Sequence, residues 1–400
     1  MFLHLNSWRQ LVSPLASSPT LFQWFNAQRA LEMEALEPML DEVFTTVQSH
    51  LETVRQSFPR FYFVDDRTLL PCLGPQVELS DILVALRQCS AWSSLEFDGP
   101  KQLAAVLAGG ERLALAHSIH LPGPLPSWVE SAMKAVASAL QLQKHLALTS
   151  LRSDDPIALA GPIAPPKRAR HPRSMGRPDS RLQTPATSSA ASDICQDTLL
   201  SWARTYPAQA LLLAIRIHAT QQIDDILAGP RQDRRHGLKQ LLQTFGQRRV
   251  RVQALQAVDQ GLSPHIRSHL LTVAAALHET ELLLDQLNTS KVLRADDALW
   301  VLAPKWRHDT ETQEYTVQLG YNTRVLGDEY YGGAITLEPW IGKSHSIALQ
   351  LSTLGQVAAH SVAYGVTSAV QIVRAWNQSC GWYVQINLPR PTHVADACKL

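Results

Sequence analysis

The 400-residue sequence predicts a mainly α fold, in which a small β element and the beginning of an α/β unit follow a long series of helices. Through most of the chain before Trp300, apolar residues recur at spacings of three and four, as one buried face of a helix requires. After Trp300 that period gives way to alternation, the pattern of a half-buried strand. From residue 341 the chain reads strand, small-residue turn, helix, strand.

The first helix is read from Leu21 to Phe58, where Leu36, Leu40, Val43, Phe44, Val47, Leu51, Val54 and Phe58 fall on one face. Pro38 is expected to kink or restart it and Pro59 to end it, with "RFYFV" following as an extended run. A second helix is expected from Leu79 to Trp92, leading into "SSLEF". Ser127 is expected to N-cap a helix reaching about Leu148, with Glu130 three residues on as in a capping box. Residues 152–193 are rich in Pro, Ser, Ala and Arg and lack periodicity. They bury too little apolar surface to offset their ordering entropy and are expected to be disordered. Helical patterning resumes in "DTLLSWARTYPAQALLLAIRIHATQQIDDIL" and continues to Leu287, with a break at "GLSPH". "EYTVQLGYN" alternates, and "YYGGAITLEPW" supplies a glycine turn and a second extended run. The expected organisation is therefore helical over 1–151, a disordered insertion over 152–193, helical again over 194–299, a β-hairpin and lead-in over 300–340, and an incomplete α/β unit over 341–400.

Lys and Arg number 36 against 35 Asp and Glu, so the balance of +1 gives no reason to expect nucleic acid or a membrane surface as partner. Cys72, Cys89, Cys195, Cys380 and Cys398 are scattered, odd in number and never in CxxC spacing, which fits a reducing compartment and argues against a zinc module. Asn6 and Arg9 interrupt the apolar N-terminus too early for a signal sequence, and no apolar window approaches the roughly 18 residues a membrane helix needs. A cytosolic protein is expected.

The stretch "HSVAYGVTSAVQIV" (360–373) lies where a strand, a turn and a helix meet, the setting of a phosphate-binding loop. A working loop, GxxxxGK[ST], closes backbone N–H groups around the phosphates, reaches them with Lys and holds Mg²⁺ with the hydroxyl. Here Gly365 and Thr367 keep their places, Val366 stands where Lys belongs, and His360 stands where the first Gly belongs. No strand before Leu400 is expected to supply the acid for Mg²⁺ and water. The reading is a degenerate nucleotide loop, with no cofactor and no catalytic residue assigned. No metal site is assigned either. His265 and His269 are four apart but lack a third ligand, and both they and His117 with His120 are read as solvated. The basic run "PPKRARHPR" (165–173) is read as a solubilising linker, and Trp300, Trp306 and Trp340 as packing residues.

Several blocks, in order, resemble the dynein heavy chains, axonemal and cytoplasmic. "SWRQLV" (7–12), "FPRFYFVDDRTLL" (58–70) and "SSLEF" (93–97) are similar to blocks of the dynein linker, and "LNTSKVLRADDALWVLAPKWRHD" (287–309) is similar to its end. "GDEYYGGAITLEPWIGKSHSIAL" (327–349) resembles the lead into the first AAA+ module. His360 to Thr367 fall on that module's phosphate loop, and "CGWYVQINL" (380–388) falls on its next strand. The Asp-Arg pair of the family's adenine-side segment is missing after Pro339, where "WIGKS" stands instead. The resemblance implies a helical linker-like bundle, a β-hairpin and an incomplete AAA+-like unit, with a role in microtubule-based movement as a pseudo-ATPase interaction chain rather than a motor. It implies other dynein subunits or heavy chains as partners, indirect microtubule association, and a place on the cytoskeleton, in the cytoplasm or in a cilium or flagellum. Two other readings stay open: a fragment of an active ATP-driven motor, and an unrelated helical scaffold.

Overall fold

The computed structural model describes residues 9–10, 13, 27–74, 78–99, 102–120, 125–157, 198–258, 261–333 and 367–382. The chain divides into two compact units, Met1–Cys89 with Gly123–Glu130, and Ser90–Pro122 with Ser131–Leu400.

In the first unit, helix α1 (Ala27–Ser57) runs through Pro38 without interruption. Its second half buries Leu51 and Val54, and Phe58 follows at its end. The expected extended run is instead a 3-10 turn, Pro59–Phe63, with Pro59 fixing the first backbone angle. Arg55 explains the difference. Its guanidinium donates to the carbonyl oxygens of Phe61 (3.3 Å) and Val64 (3.0 Å) and to Asp66 (2.6 Å), so the chain winds around one cation. Only Phe61 of the three aromatics turns fully inward, edge-on to Phe58 at 4.8 Å. Asp65 then caps helix α2 (Asp66–Leu69) by accepting from the Thr68 N–H. Helix α3 (Leu79–Cys89) stops short of Trp92 and buries Ala85, Leu86 and Cys89. Arg55→Ala is expected to cost about 1–2 kcal/mol through the two lost carbonyl bonds, while half-exposed Asp66 contributes little because solvent screens it. Urea denaturation checks this.

The second unit opens with an antiparallel meander, β1 (Trp92–Gly99), β2 (Gln102–Ala108) and β3 (Glu111–His120). None of this sheet is expected from the sequence, because the alanine-rich stretches of β2 and β3 weaken the alternation. Gly109 and Gly110, at φ +56° and +79°, form the two-residue turn between β2 and β3, where both positions need the left-handed region. Helix α4 (Leu125–Asp154) starts two residues before Ser127, which is therefore not its cap; Pro126 fits a first turn, where no N–H is required. The packed chain also passes the expected boundary at 151. Leu151 and Ile157 are buried, and the Asp155 carboxylate meets Arg248. The rest of the expected insertion, 158–193, lies outside the described residues.

Residues 198–205 form helix α5. Helix α6 (Ala208–Ala228) is buried all round through its first ten residues, as a central helix must be. Helices α7 (Arg231–Val258) and α8 (Pro264–Thr289) pack on it, the break before α8 being set by Ser263 as N-cap and Pro264 behind it. Leu211, Ile215, Phe245, Val273 and Leu277 belong to one continuous core. The expected hairpin is a short helix, α9 (Ala298–Leu302), followed by a three-stranded antiparallel sheet, β4 (Lys305–His308), β5 (Tyr315–Leu319) and β6 (Asn322–Val325). The sheet joins the core through Trp306, whose N–H donates to the Thr220 hydroxyl at 3.2 Å, and Trp300, whose indole N–H donates to Asp224 at 3.0 Å. Helix α10 (Thr367–Ser379) completes the described chain. Among the described residues, no helix is long and apolar enough to cross a membrane.

Candidate functional site

His360, Gly365 and Val366 lie outside the described residues, as do the strands expected at 346–351 and 383–388. Thr367 opens α10, so a helix does follow the loop position. The described part of the site is where this helix ends.

That end is a glycine-terminated turn. Gly381, at φ +66°, donates to the Gln378 carbonyl at 3.0 Å, and Trp382 N–H reaches back to Asn377 O at 3.0 Å, the Schellman arrangement. The segment after β6 crosses this turn. Gly327 N–H donates to Cys380 O and Glu329 N–H to Gly381 O, both at 2.9 Å. A side chain on Gly381 would overlap the Gly327 carbonyl, and one on Gly327 would overlap that of Gly381. Ile372, Ala375, Trp376 and Cys380 carry the inner face of α10 into the core, with the Trp376 and Trp306 rings 6.2 Å apart.

The crossing segment is in turn fastened to two core helices. From α4, Lys144 Nζ donates to the Gly327 carbonyl (2.9 Å) and to Asp328 (2.8 Å), while Gln141 donates to the other Asp328 oxygen (2.6 Å). From α6, Gln209 donates to Glu329 O at 2.8 Å and accepts from Tyr331 N–H at 3.3 Å. Tyr331 donates its hydroxyl proton to Trp382 O, and the Trp382 indole N–H donates to Val325 O. Burial pulls Lys144 below the ordinary ammonium value, and Asp328 opposes that fall. Lys144→Met keeps the length of the side chain but leaves a partly solvated Asp328 without its cation. A loss of about 2 kcal/mol in a urea titration is expected, with faster amide exchange in 327–331.

A second node holds the tip of the β2–β3 hairpin. Gly332, at φ +60°, lies so close to the Ala108 carbonyl that no side chain fits. Beside it Glu111 is 1 % exposed; one carboxylate oxygen accepts from the Ala208 N–H at the start of α6 (3.1 Å), and the other lies 3.3 Å from His269 Nε2, at ion-pair distance without a hydrogen bond. His269 Nδ1 is 2.6 Å from the Ala203 carbonyl. Burial works against the charged imidazole, but Glu111 and the Ala203 carbonyl outweigh it and hold His269 above the usual histidine value. His269 is thus a buried ion-pair member, not the solvated residue expected. Its place between Ile266 and Val273 in the apolar spacing was the available signal. His117 and His120 are exposed as expected, and among the described residues no group of three or more potential ligands is placed to hold a metal.

A third charged pair, Arg216 and Glu279 (2.8 Å), sits in the core, with the guanidinium 4.6 Å from the centre of the Trp306 ring. Burial raises the Glu279 pKa and Arg216 opposes the rise. The adjoining cavity measures about 30 Å³ and the one beside Lys144 and Gly381 about 10 Å³. Both are of water size and far too small for a nucleotide. The described residues form an attachment that holds the back of α10 to the helical body.

Residues 4–146 match the family described as dynein heavy chain, N-terminal region 2. Human dynein axonemal heavy chain 2 is 31% identical over 124 residues, which is 28% of this chain. Human dynein axonemal heavy chain 6 is 21% identical over 365 residues, which is 83% of it. The cytoplasmic dynein heavy chain of Caenorhabditis elegans is 35% identical over 82 residues, 20% of it. Over residues 4–146 the chain is a dynein heavy chain region, and beyond them it is similar to these proteins. It corresponds to a small part of these proteins, the matched stretches being 3%, 8% and 2% of their lengths. The family match covers α1, the Arg55-centred turn, the β1–β3 sheet and α4 as far as the turn that carries Lys144.

Proposed function

We propose that the chain serves microtubule-based movement as a non-catalytic, linker-like member of dynein assemblies. The observation that carries this reading is the family match over residues 4–146, extended by the similarity to dynein axonemal heavy chain 6 across 83% of the chain. In this role the helical body is the linker-like part, and the segment 327–333 fastens it to the helix that follows a degenerate nucleotide loop. His360 and Val366 replace the residues that admit and neutralise a triphosphate, so the loop position keeps its place in the chain without its chemistry. Other dynein heavy chains or dynein subunits are the partners, microtubule contact is indirect, and the protein resides on the cytoskeleton, in cytoplasm or cilium. Affinity capture of the tagged chain from ciliated cells tests this. Recovery of dynein subunits supports it, and their absence from a capture that retains folded bait contradicts it.

A further inference from the structure

We propose that the first five turns of α1 are a docking surface for a basic amphipathic helix of another protein. At about 100° per residue, Met33, Leu36, Leu40, Val43, Phe44 and Val47 share one face of α1. Farther along, the same stripe continues as Leu51 and Val54 and is buried within its own unit. Over 33–47 it is not. Phe44 is 64 % exposed, Met33 and Met39 are exposed, and Leu36, Leu40, Val43 and Val47 are only half-buried. Among the described elements, α1 packs on the 3-10 turn at its C-terminal end. A helix gains little from propensity alone, and among the described residues nothing covers this stripe over 33–47, so an added helix would continue the packing that the second half of α1 already has.

The charge around the stripe selects the occupant. Glu37 and Asp41 lie along one border, Glu32 and Glu42 on the other side, and Glu34 behind, all exposed. Among the described residues none of these carboxylates is in an ion pair; Glu32 accepts a 3.5 Å bond from Gln28. A second copy of α1 would bring the same acids against these and be repelled. A helix with leucines on one face and lysines along its borders matches both the apolar stripe and its rim.

The probe is a fluorescent peptide of about three heptads with the repeat Leu-Lys-Lys-Leu-Leu-Lys-Leu, titrated against the full chain beside the same repeat with Glu for Lys. The expected result is saturable binding of the Lys peptide, weakened by salt, and none of the Glu peptide. Leu40→Asp adds negative charge while removing an apolar contact, and should weaken Lys-peptide binding at least tenfold. The double variant Glu37→Lys, Asp41→Lys should reverse the preference between the peptides. These positions are half-exposed or exposed, and far-UV circular dichroism verifies that each variant is folded. Binding unaffected by Leu40→Asp would mean nonspecific charge attraction and overturn the proposal. So would equal binding of both peptides, no binding by the full chain, or light scattering showing a dimer that Leu40→Asp dissolves, since the face would then be covered by the chain itself or by a second copy.

Discussion

Replacing Gly381 by valine is expected to release α10 from the helical body. The residue is at φ +66°, where a β-branched side chain costs about 1–3 kcal/mol in backbone strain alone. The added carbon would also overlap the Gly327 carbonyl, which is backbone and has no flexible end to move aside. The two chains must therefore part, losing the bonds from Gly327 N–H and Glu329 N–H and exposing Trp376 and Ile372. The total is on the order of 3–5 kcal/mol, a size typical of a disrupted core. Hydrogen exchange separates this from general unfolding: amides of 371–382 and 327–331 should lose protection while those of α6 and α8 keep most of theirs. Gly327→Val should give the same pattern, since the two glycines meet each other.

Glu111→Ala should be comparably severe for a different reason. The substitution strands a buried His269 without its counter-ion and leaves the Ala208 N–H unpaired at the start of a buried helix, and breaking a buried pair from one side costs about 3–5 kcal/mol. The pH dependence has a defined sign. His269 has a raised folded pKa, so its contribution is complete below the unfolded value of about 6.5 and fades as pH rises through the folded value. Urea midpoints of the wild-type chain should therefore fall across that interval, and Glu111→Gln should flatten the fall. The groups around the imidazole are Glu111 from β3, the Ala203 carbonyl, His265 one turn earlier on α8, and Tyr330, whose own pKa is raised by burial and by Glu111. His265 is lowered by burial and by the charge of His269, with Glu111 opposing the fall.

These two nodes also mark where the sequence stops being legible. The helices were readable because their stripes recur for many turns, as in α1 from Leu36 to Phe58, and repetition makes each residue redundant. The boundaries were less so: Ser127 resembles a cap, yet α4 begins at Leu125 because Pro126 tolerates the first turn. The 3-10 turn at Pro59–Phe63 was misread as extended because a run of aromatic and β-branched residues looks like a strand until Arg55, four residues upstream, claims its carbonyls. The β1–β3 sheet was hidden by alanines, whose small side chains give alternation little contrast. Lys144 and Asp328, or Glu111 and His269, are more than a hundred residues apart, and no local spacing relates them. Gly327 and Gly381 show the same limit, since each is an ordinary glycine until the other is brought against it.

The functional reading turns on our proposal that this dynein-like chain carries the place of a nucleotide loop without the ability to use it. Titration of the full chain with a fluorescent ATP analogue and Mg²⁺ tests it most directly. The account predicts no saturable binding, because Val366 offers no charge to the phosphates and His360 crowds their approach, and it predicts that Val366→Lys alone does not create hydrolysis. Saturable, Mg²⁺-dependent binding in the micromolar range by the unaltered chain would contradict it and make the protein a working part of an ATP-driven motor.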